Sequence, residues 1–155
     1  MATIDRFAGS DIPYAAENLA LVERHYLNEG LNRLYLVVED YTEDILWAAP
    51  ARNLRVVGKD AVRDIYSKMF PNMGDATFET LARSPLKTPV PTEGKVFDHS
   101  IARFRLTGEG FLPLPVDTYV EMELIHIFGF RRDNGIAKIA TEIVYEKWRP
   151  LEKVA

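Results

Sequence analysis

The sequence of 155 residues contains no cysteine. This absence excludes a disulfide-stabilised scaffold, a cysteine nucleophile, a thiolate zinc site and an iron–sulfur cluster. Basic residues are also in deficit: 19 Lys and Arg stand against 23 Asp and Glu, for a net charge of −4. Because nucleic-acid binding needs a basic face, we expect no nucleic-acid partner.

Long apolar runs are missing as well. No run approaches the roughly 20 residues that span a bilayer, so we expect no membrane association. Residues 1–11 lack the basic start and the apolar core of a signal peptide, which makes a cytoplasmic protein the expectation. The content of 47% hydrophobic and 27% charged residues suits one domain over residues 1–155.

Motifs that bind common cofactors are absent too. The chain has no P-loop, no dinucleotide fingerprint and no nucleophile elbow. Its three histidines, His25, His99 and His126, are not spaced like the ligands of a metal ion. We therefore expect neither a cofactor nor a metal.

Apolar residues recur at helical spacing in three segments, at about 13–30, 31–38 and 59–70. Strand patterns cover residues 45–48, 54–57, 77–84, 95–106, 118–131 and 136–148. This arrangement predicts an α+β domain whose helices cover one face of a mostly antiparallel sheet.

The last two strands meet at residues 133–135 (Asp-Asn-Gly), a strong hairpin signal. A three-residue loop pairs His126 with Glu142 and places Glu121 opposite a lysine. A two-residue turn formed by the Asn and the Gly instead puts Glu142 beside Ile127. We favour the three-residue loop because opposite charges facing each other stabilise a sheet.

In that register one sheet face is apolar around a single imidazole. It carries Val120, Met122, Leu124, His126, Phe128 and Phe130, joined from the neighbouring strand by Lys138, Glu142 and Glu146. His126 and Glu142 together make a candidate acid–base pair. Burial raises the pKa of the carboxyl group and a nearby protonated imidazole lowers it, and this competition can bring either group near working pH. A purely structural His–Glu hydrogen bond is the alternative.

The opposite face carries Ile125, Ile127, Ile143 and Tyr145. Helices cannot cover both faces, so we expect a homodimer through this outer face of the sheet.

Several other residues are candidates for a pocket that binds a small apolar or aromatic ligand. On the strand 95–106, alternation groups Asp98 with small and apolar residues, so Asp98 is favoured over His99 as the inward residue. Of the neighbours His25 and Tyr26, we expect only one to face inward, and Tyr26 shares the apolar stripe. The remaining candidates, for which core packing is the alternative role, are Trp47, Met122, Leu124, Phe128 and Phe111.

The order of these motifs resembles a known family. Residues 41–50 (YTEDILWAAP), followed by 57–66 (VGKDAVRDIY), resemble the SnoaL-like branch of the NTF2-like superfamily. The resemblance implies a cone-shaped α+β fold, in which three N-terminal helices and a curved, mixed, mostly antiparallel sheet enclose one apolar pocket. It also implies frequent dimerisation through the sheet.

Closer similarity is to the phenazine-biosynthesis A and B proteins. It lies in residues 18–28 (NLALVERHYLN), 69–71 (MFP), 111–115 and 124–128 (LIHIF). The resemblance implies an acid–base role for Glu142, which follows Gly135 by seven residues. The histidine and serine that this family carries on its third helix have no counterpart here. In ketosteroid isomerases of the same superfamily a catalytic Asp precedes the strand-ending Pro, a position that Ala49 occupies in this chain.

These observations lead to two functional hypotheses. The first is a cofactor-independent enzyme that isomerises, cyclises or dehydrates a flat, largely apolar metabolite, such as a polyketide, a phenazine precursor or a steroid-like compound. Glu142 is its general base, and His126 orients Glu142 or returns the proton. The second is a non-catalytic small-molecule-binding protein or dimeric scaffold of the same superfamily.

Overall fold

A computed structural model describes residues 11–89 and 92–152. Residues 1–10, which belong to the segment without a signal-peptide pattern, lie outside the described part. The helices are α1 (Ala15–Gly30), α2 (Leu34–Glu39) and α3 (Lys59–Met69), and the strands are β1 (Tyr41–Ala49), β2 (Leu54–Val57), β3 (Met73–Leu86), β4 (Lys95–Leu106), β5 (Tyr119–Asp133) and β6 (Ile136–Leu151). The expected α+β architecture is confirmed, with α3 inserted after β2. No helix in the described ranges is both long and apolar enough to cross a membrane.

The six strands form one sheet in the order β2-β1-β6-β5-β4-β3. All neighbouring strands are antiparallel except β1 and β6, which run parallel, so the sheet is mixed. The parallel pairing places Trp47 of β1 opposite Glu142 of β6. A strand from the first third of the chain thereby contributes side chains beside the final hairpin.

The core lies between the helices and one face of the sheet. Alternate residues along β4 and most of β5 are buried, as the sequence pattern predicts for strands with one covered face. Helix α1 contacts β3, β4 and β6, while α3 contacts β1 and β2. Burial of the apolar side chains between these layers provides the main driving force for folding.

The β5–β6 hairpin differs from the favoured prediction. Asn134 and Gly135 both have positive φ, at 52° and 78°, and Asp133 pairs with Ile136. These values define a two-residue type I′ turn, whose twist matches that of the flanking strands. The three-residue loop was therefore wrong.

A β-bulge then changes the register a second time. Phe130 pairs with Ile139 and Gly129 with Thr141, so Ala140 is the extra residue on β6. A Cβ atom at Gly129 would lie 2.3 Å from the Thr141 hydroxyl oxygen, which explains a glycine at this crowded position.

The turn and the bulge together shift the predicted pairing by two residues. His126 lies opposite Val144, and Glu142 lies opposite Phe128, so the predicted direct pairing of His126 with Glu142 was wrong. Because side chains alternate with a period of two, a shift by two leaves His126 and Glu142 on the same face. Lys138, which precedes the bulge, does not join that face; its ammonium group donates to the Glu39 carbonyl oxygen.

The outer face of this hairpin is partly apolar. Ile125, Ile127 and Ile143 are half-buried, and Tyr145 is 52% exposed. None of these four side chains is fully buried.

Candidate active site

Glu142 occupies the centre of the inner face, where three elements meet. Its side chain is 1% exposed. Tyr41, the first residue of β1, donates its hydroxyl proton to Glu142 Oε2 at 2.6 Å, and Tyr66 of α3 lies 3.3 Å from Oε1. The Trp47 indole N–H donates to the Tyr66 hydroxyl at 3.1 Å. Glu142 is therefore a buried carboxyl group held between two tyrosine hydroxyls.

His126 lies beside Glu142 on the neighbouring strand. His126 Nε2 is 3.9 Å from Glu142 Oε1. The imidazole is stacked on the Phe128 ring, with 5.5 Å between the ring centroids and planes 7° apart. The imidazole and the carboxyl group thus share one buried space.

A chain of hydrogen bonds behind His126 determines which nitrogen carries its proton. Arg83 Nε donates to Asp98 at 2.7 Å, and Tyr26 Oη lies 2.8 Å from Asp98 and 2.6 Å from His126 Nδ1. A carboxylate paired with an arginine only accepts, so the Tyr26 proton goes to Asp98. The Nδ1–H of His126 then donates to the Tyr26 oxygen, which leaves the lone pair on Nε2, the nitrogen that lies 3.9 Å from Glu142 Oε1.

The pKa values of the central pair are both displaced. Burial raises the pKa of Glu142 to about 7; the charge of His25 opposes this rise and that of Glu29 adds to it. Burial lowers the pKa of His126 to about 4, so its ring is neutral near pH 7. A carboxyl group that is about half ionised near neutral pH is suited to proton transfer.

His25 of α1 is the second buried imidazole of the site, and its side chain is 1% exposed. Nδ1 faces Asp40 Oδ2 at 3.3 Å, while Nε2 lies 3.2 Å from the Tyr41 hydroxyl and 3.4 Å from Glu29 Oε1. Burial alone would lower the pKa of His25, but the hydrogen bonds to Asp40 and Glu29 outweigh it and raise the pKa to about 10. His25 is therefore an imidazolium at neutral pH.

Among the described residues, His25, Glu29 and Glu142 form a group whose ligand atoms lie within 4.8 Å of one another, a spacing that could hold a metal ion. Metal coordination requires an imidazole lone pair, and the His25 ring carries two N–H groups when protonated. The donor set therefore suits an ion-pair network better than a metal.

The central pair opens onto an apolar hollow. It is lined by Tyr26, Glu29, Trp47, Arg52, Tyr66, Met69, Phe70, Met73, Phe78, Phe111, Met122, Leu124, His126, Glu142, Val144 and Glu146. Its cavity volume is about 40 Å³, enough for a few water molecules. A larger ligand must displace side chains, and three of the lining residues are methionines, whose thioether chains adapt readily.

An ion pair lies in the wall of the hollow away from Glu142. Arg52 Nε is 2.6 Å from Glu146 Oε1, and the two side chains are 18% and 2% exposed. The Arg52 guanidinium also lies 5.2 Å from the centroid of the Phe111 ring. Burial raises the pKa of Glu146 even though the charge of Arg52 lowers it.

The structure brings most of the sequence-predicted residues to the hollow. Those that line it are Glu142, His126, Tyr26, Trp47, Met122, Leu124 and Phe111. Asp98 faces inward, as expected, but is fully buried behind Tyr26, and Phe128 lies behind His126. His99 is on the outer face, where Nε2 is 2.7 Å from Glu123 Oε1.

Sequence reasoning missed His25, Glu29, Tyr41 and Tyr66. The expectation that only one of His25 and Tyr26 faces inward was wrong, since both rings contact Phe128. The sequence contained a signal for His25, because its position follows helical spacing with other residues of α1. These residues are all buried: Asn18, Leu21, Val22, His25 and Asn28.

No protein-family model matches the sequence, and no curated protein matches it significantly. Solved structures do match the fold. One match is SalBIII, an epoxide hydrolase/cyclase-like enzyme described for pyran ring formation in the polyether salinomycin. It has a TM-score of 0.66 at 18% identity, and the match covers 84% of this chain and 91% of SalBIII. The hexachlorocyclohexane dehydrochlorinase LinA-type3 from Novosphingobium barchaimii LL02 has a TM-score of 0.71 at 11% identity, over 89% and 92%.

An NTF2-like protein of unknown function from Cytophaga hutchinsonii matches with a TM-score of 0.59 at 17% identity, over 83% of this chain and 97% of its own. The chain therefore has the NTF2-like fold. The fold that the sequence resemblance implied is confirmed.

Proposed function

We propose that this protein is a cofactor-independent enzyme that transfers protons within a small, largely apolar metabolite. The observation that carries the proposal is the placement of the Glu142 carboxyl group and the His126 lone pair 3.9 Å apart at an apolar hollow. The raised pKa of Glu142, about 7, supports the same role. Structural neighbours described as a cyclase-like enzyme and a dehydrochlorinase are compatible with it.

In the proposed reaction, ionised Glu142 removes a proton from a carbon next to a carbonyl or imine group. The electron pair of the broken C–H bond moves towards that group. Glu142, now protonated, donates its proton to a second substrate atom: a carbon in an isomerisation, or a departing hydroxyl group, which leaves as water, in a dehydration. His126 Nε2 lies 3.9 Å from Glu142 Oε1, and it orients the protonated carboxyl group by accepting its hydrogen bond once the two groups close to about 3 Å.

The lining of the hollow indicates the class of substrate. Aromatic and thioether side chains favour a flat, largely apolar molecule of the polyketide, phenazine-precursor or steroid type. The small cavity volume implies that Met69, Phe70 and Met73 move when such a ligand enters.

The test follows deuterium incorporation from D₂O into a panel of aromatic and polyketide-like ketones and keto acids, measured by mass spectrometry. This assay detects C–H proton abstraction whichever product forms. Glu142→Gln should slow enzyme-dependent incorporation by about 100-fold or more, and His126→Asn by about 10-fold. The controls are Glu109→Gln in the exposed β4–β5 loop and His99→Asn on the outer face of β4, which should leave the rate unchanged.

Unchanged incorporation in Glu142→Gln would remove Glu142 from the mechanism.

The small cavity volume favours one second candidate, a non-catalytic binding protein or scaffold. Ligand binding without deuterium incorporation in the wild type would support that candidate instead.

We further propose that two copies of the chain associate through the outer face of the β5–β6 hairpin. The half-buried and exposed apolar side chains there support this arrangement: Ile125, Ile127, Ile143 and Tyr145.

A further inference from the structure

The hydrogen-bond partners of His25 require both of its ring nitrogens to be donors. Nδ1 faces the Asp40 carboxylate, which also accepts from Arg24 at 2.6 Å. Nε2 faces the Tyr41 oxygen and two carboxylates, those of Glu29 and Glu142. Because Tyr41 donates its only proton to Glu142 at 2.6 Å, it can only accept from His25. The geometry alone therefore makes His25 a buried cation.

That cation is close to the proposed base. His25 Nε2 lies 3.7 Å from Glu142 Oε2, and both side chains are 1% exposed. At this separation, and away from water, a positive charge strongly favours the ionised form of a carboxyl group. Without it, burial would keep Glu142 protonated at neutral pH.

We propose that His25, held as an imidazolium by Asp40, is a positioning residue that keeps Glu142 ionisable and fixes the Tyr41 hydroxyl on it. This inference deepens the proposed function and rests on Glu142 being the base. His25 does not line the hollow, so it acts through Glu142 and not on the substrate.

Each element packed against Glu142 also carries another titratable side chain that faces its carboxyl group. Glu29 of α1 carries a negative charge and opposes its ionisation. Tyr41 and Tyr66 donate hydrogen bonds as neutral groups, since burial raises both of their pKa values well above 10. His126 is neutral near pH 7 because burial lowers its pKa to about 4. His25 is thus the one positive charge among these neighbours.

The proposal predicts that substitutions at two neighbours of Glu142 shift its pKa in opposite directions. In His25→Asn the Glu142 carboxyl group loses its cation, so its pKa should rise by about one pH unit or more; the ionised fraction at pH 7 then falls about five-fold or more. In Glu29→Gln a negative neighbour is removed while Asp40 still holds the His25 proton, so the pKa of Glu142 should fall. If His25 served only in packing, the two substitutions would not shift the pKa of Glu142 in opposite directions.

The measurement is a ¹³C NMR titration of the Glu142 carboxyl carbon, assigned by its loss in Glu142→Gln. A parallel pH profile of deuterium incorporation should shift its acidic limb upward in His25→Asn and downward in Glu29→Gln. A Glu142 midpoint in folded His25→Asn equal to that of the wild type would overturn the proposal. If His25→Asn does not fold, the ¹⁵N NMR signals of the wild-type His25 ring decide, and a ring with one unprotonated nitrogen at pH 7 overturns the proposal.

The titration also separates this inference from the proposed function. Opposite shifts of the carboxyl midpoint, in a protein that catalyses no deuterium incorporation, would uphold the electrostatic role of His25 and refute the assignment of Glu142 as a catalytic base.

Discussion

Replacing Glu142 with Gln should stabilise the protein against unfolding at alkaline pH while changing little at acidic pH. The pKa of Glu142 is raised from 4.5 to about 7 by burial. The folded state therefore binds this proton more tightly than the unfolded state, and stability is lost as pH rises from 4.5 through 7. A span of about 2.5 pH units at about 1.4 kcal/mol each gives a loss of at most 3 to 4 kcal/mol, roughly.

Gln is neutral at every pH and still offers an oxygen to the Tyr41 hydroxyl. We therefore expect the unfolding free energies of Glu142→Gln and wild type to agree within about 1 kcal/mol at pH 5. At pH 8 the variant should be more stable by about 1 to 3 kcal/mol. His25 stays protonated over this interval, because its pKa is about 10.

Urea denaturation at pH 5 and pH 8, followed by circular dichroism, measures both differences. Glu109→Gln is the control, since that side chain is exposed in the β4–β5 loop, away from the outer face of the β5–β6 hairpin. A difference between Glu142→Gln and wild type that is the same at both pH values would refute the reasoning, because it would mean that Glu142 does not titrate in this range.

The inner face of the sheet could be predicted because burial repeats every second residue along β4 and β5. This period alone places His126 inward and His99 outward. The exact partner across the hairpin could not be predicted in the same way. The charge argument for a three-residue loop relied on a lysine opposite Glu121, yet Arg149 takes that place and donates to the Glu121 carboxylate at 2.7 Å.

The prediction that His126 and Glu142 share one sheet face was right although the predicted register was wrong. The register was wrong by two residues, and an even shift leaves each side chain on its face. The type I′ turn shifts the predicted pairing by one residue, and the extra residue Ala140 shifts it by one more. A bulge leaves little trace in a single sequence, because Ala140 has no unusual chemistry. Its counterpart Gly129, a glycine inside a strand pattern, is the feature that signals it.

The hydrogen-bond network around Glu142 could not be predicted from periodicity. His25, Tyr41 and Tyr66 belong to three elements, and Glu142 is separated from Tyr41 by 101 positions in the chain. Their meeting depends on how α1 and α3 dock on the sheet and on the parallel pairing of β1 with β6. Helical spacing shows which side of α1 is buried, but it does not show which strand residue that side contacts.

Two further predictions concern the wall of the hollow and the outer face. Arg52→Met should destabilise the protein by about 3 kcal/mol at pH 7, because Glu146 would be left buried without its cation. The loss should shrink as the pH is lowered, because burial raises the pKa of Glu146 and protonation removes its charge. The double variant with Glu146→Gln should recover most of the loss in urea denaturation; equal stability of the single and double variants would contradict this account. On the outer face, Ile127→Lys should convert a dimer into a monomer, because an ammonium group buried in the interface opposes association. Analytical ultracentrifugation measures this change. Glu109→Lys, in the exposed β4–β5 loop, is the control and should leave the dimer intact. A wild-type protein that sediments as a monomer would refute association through this face.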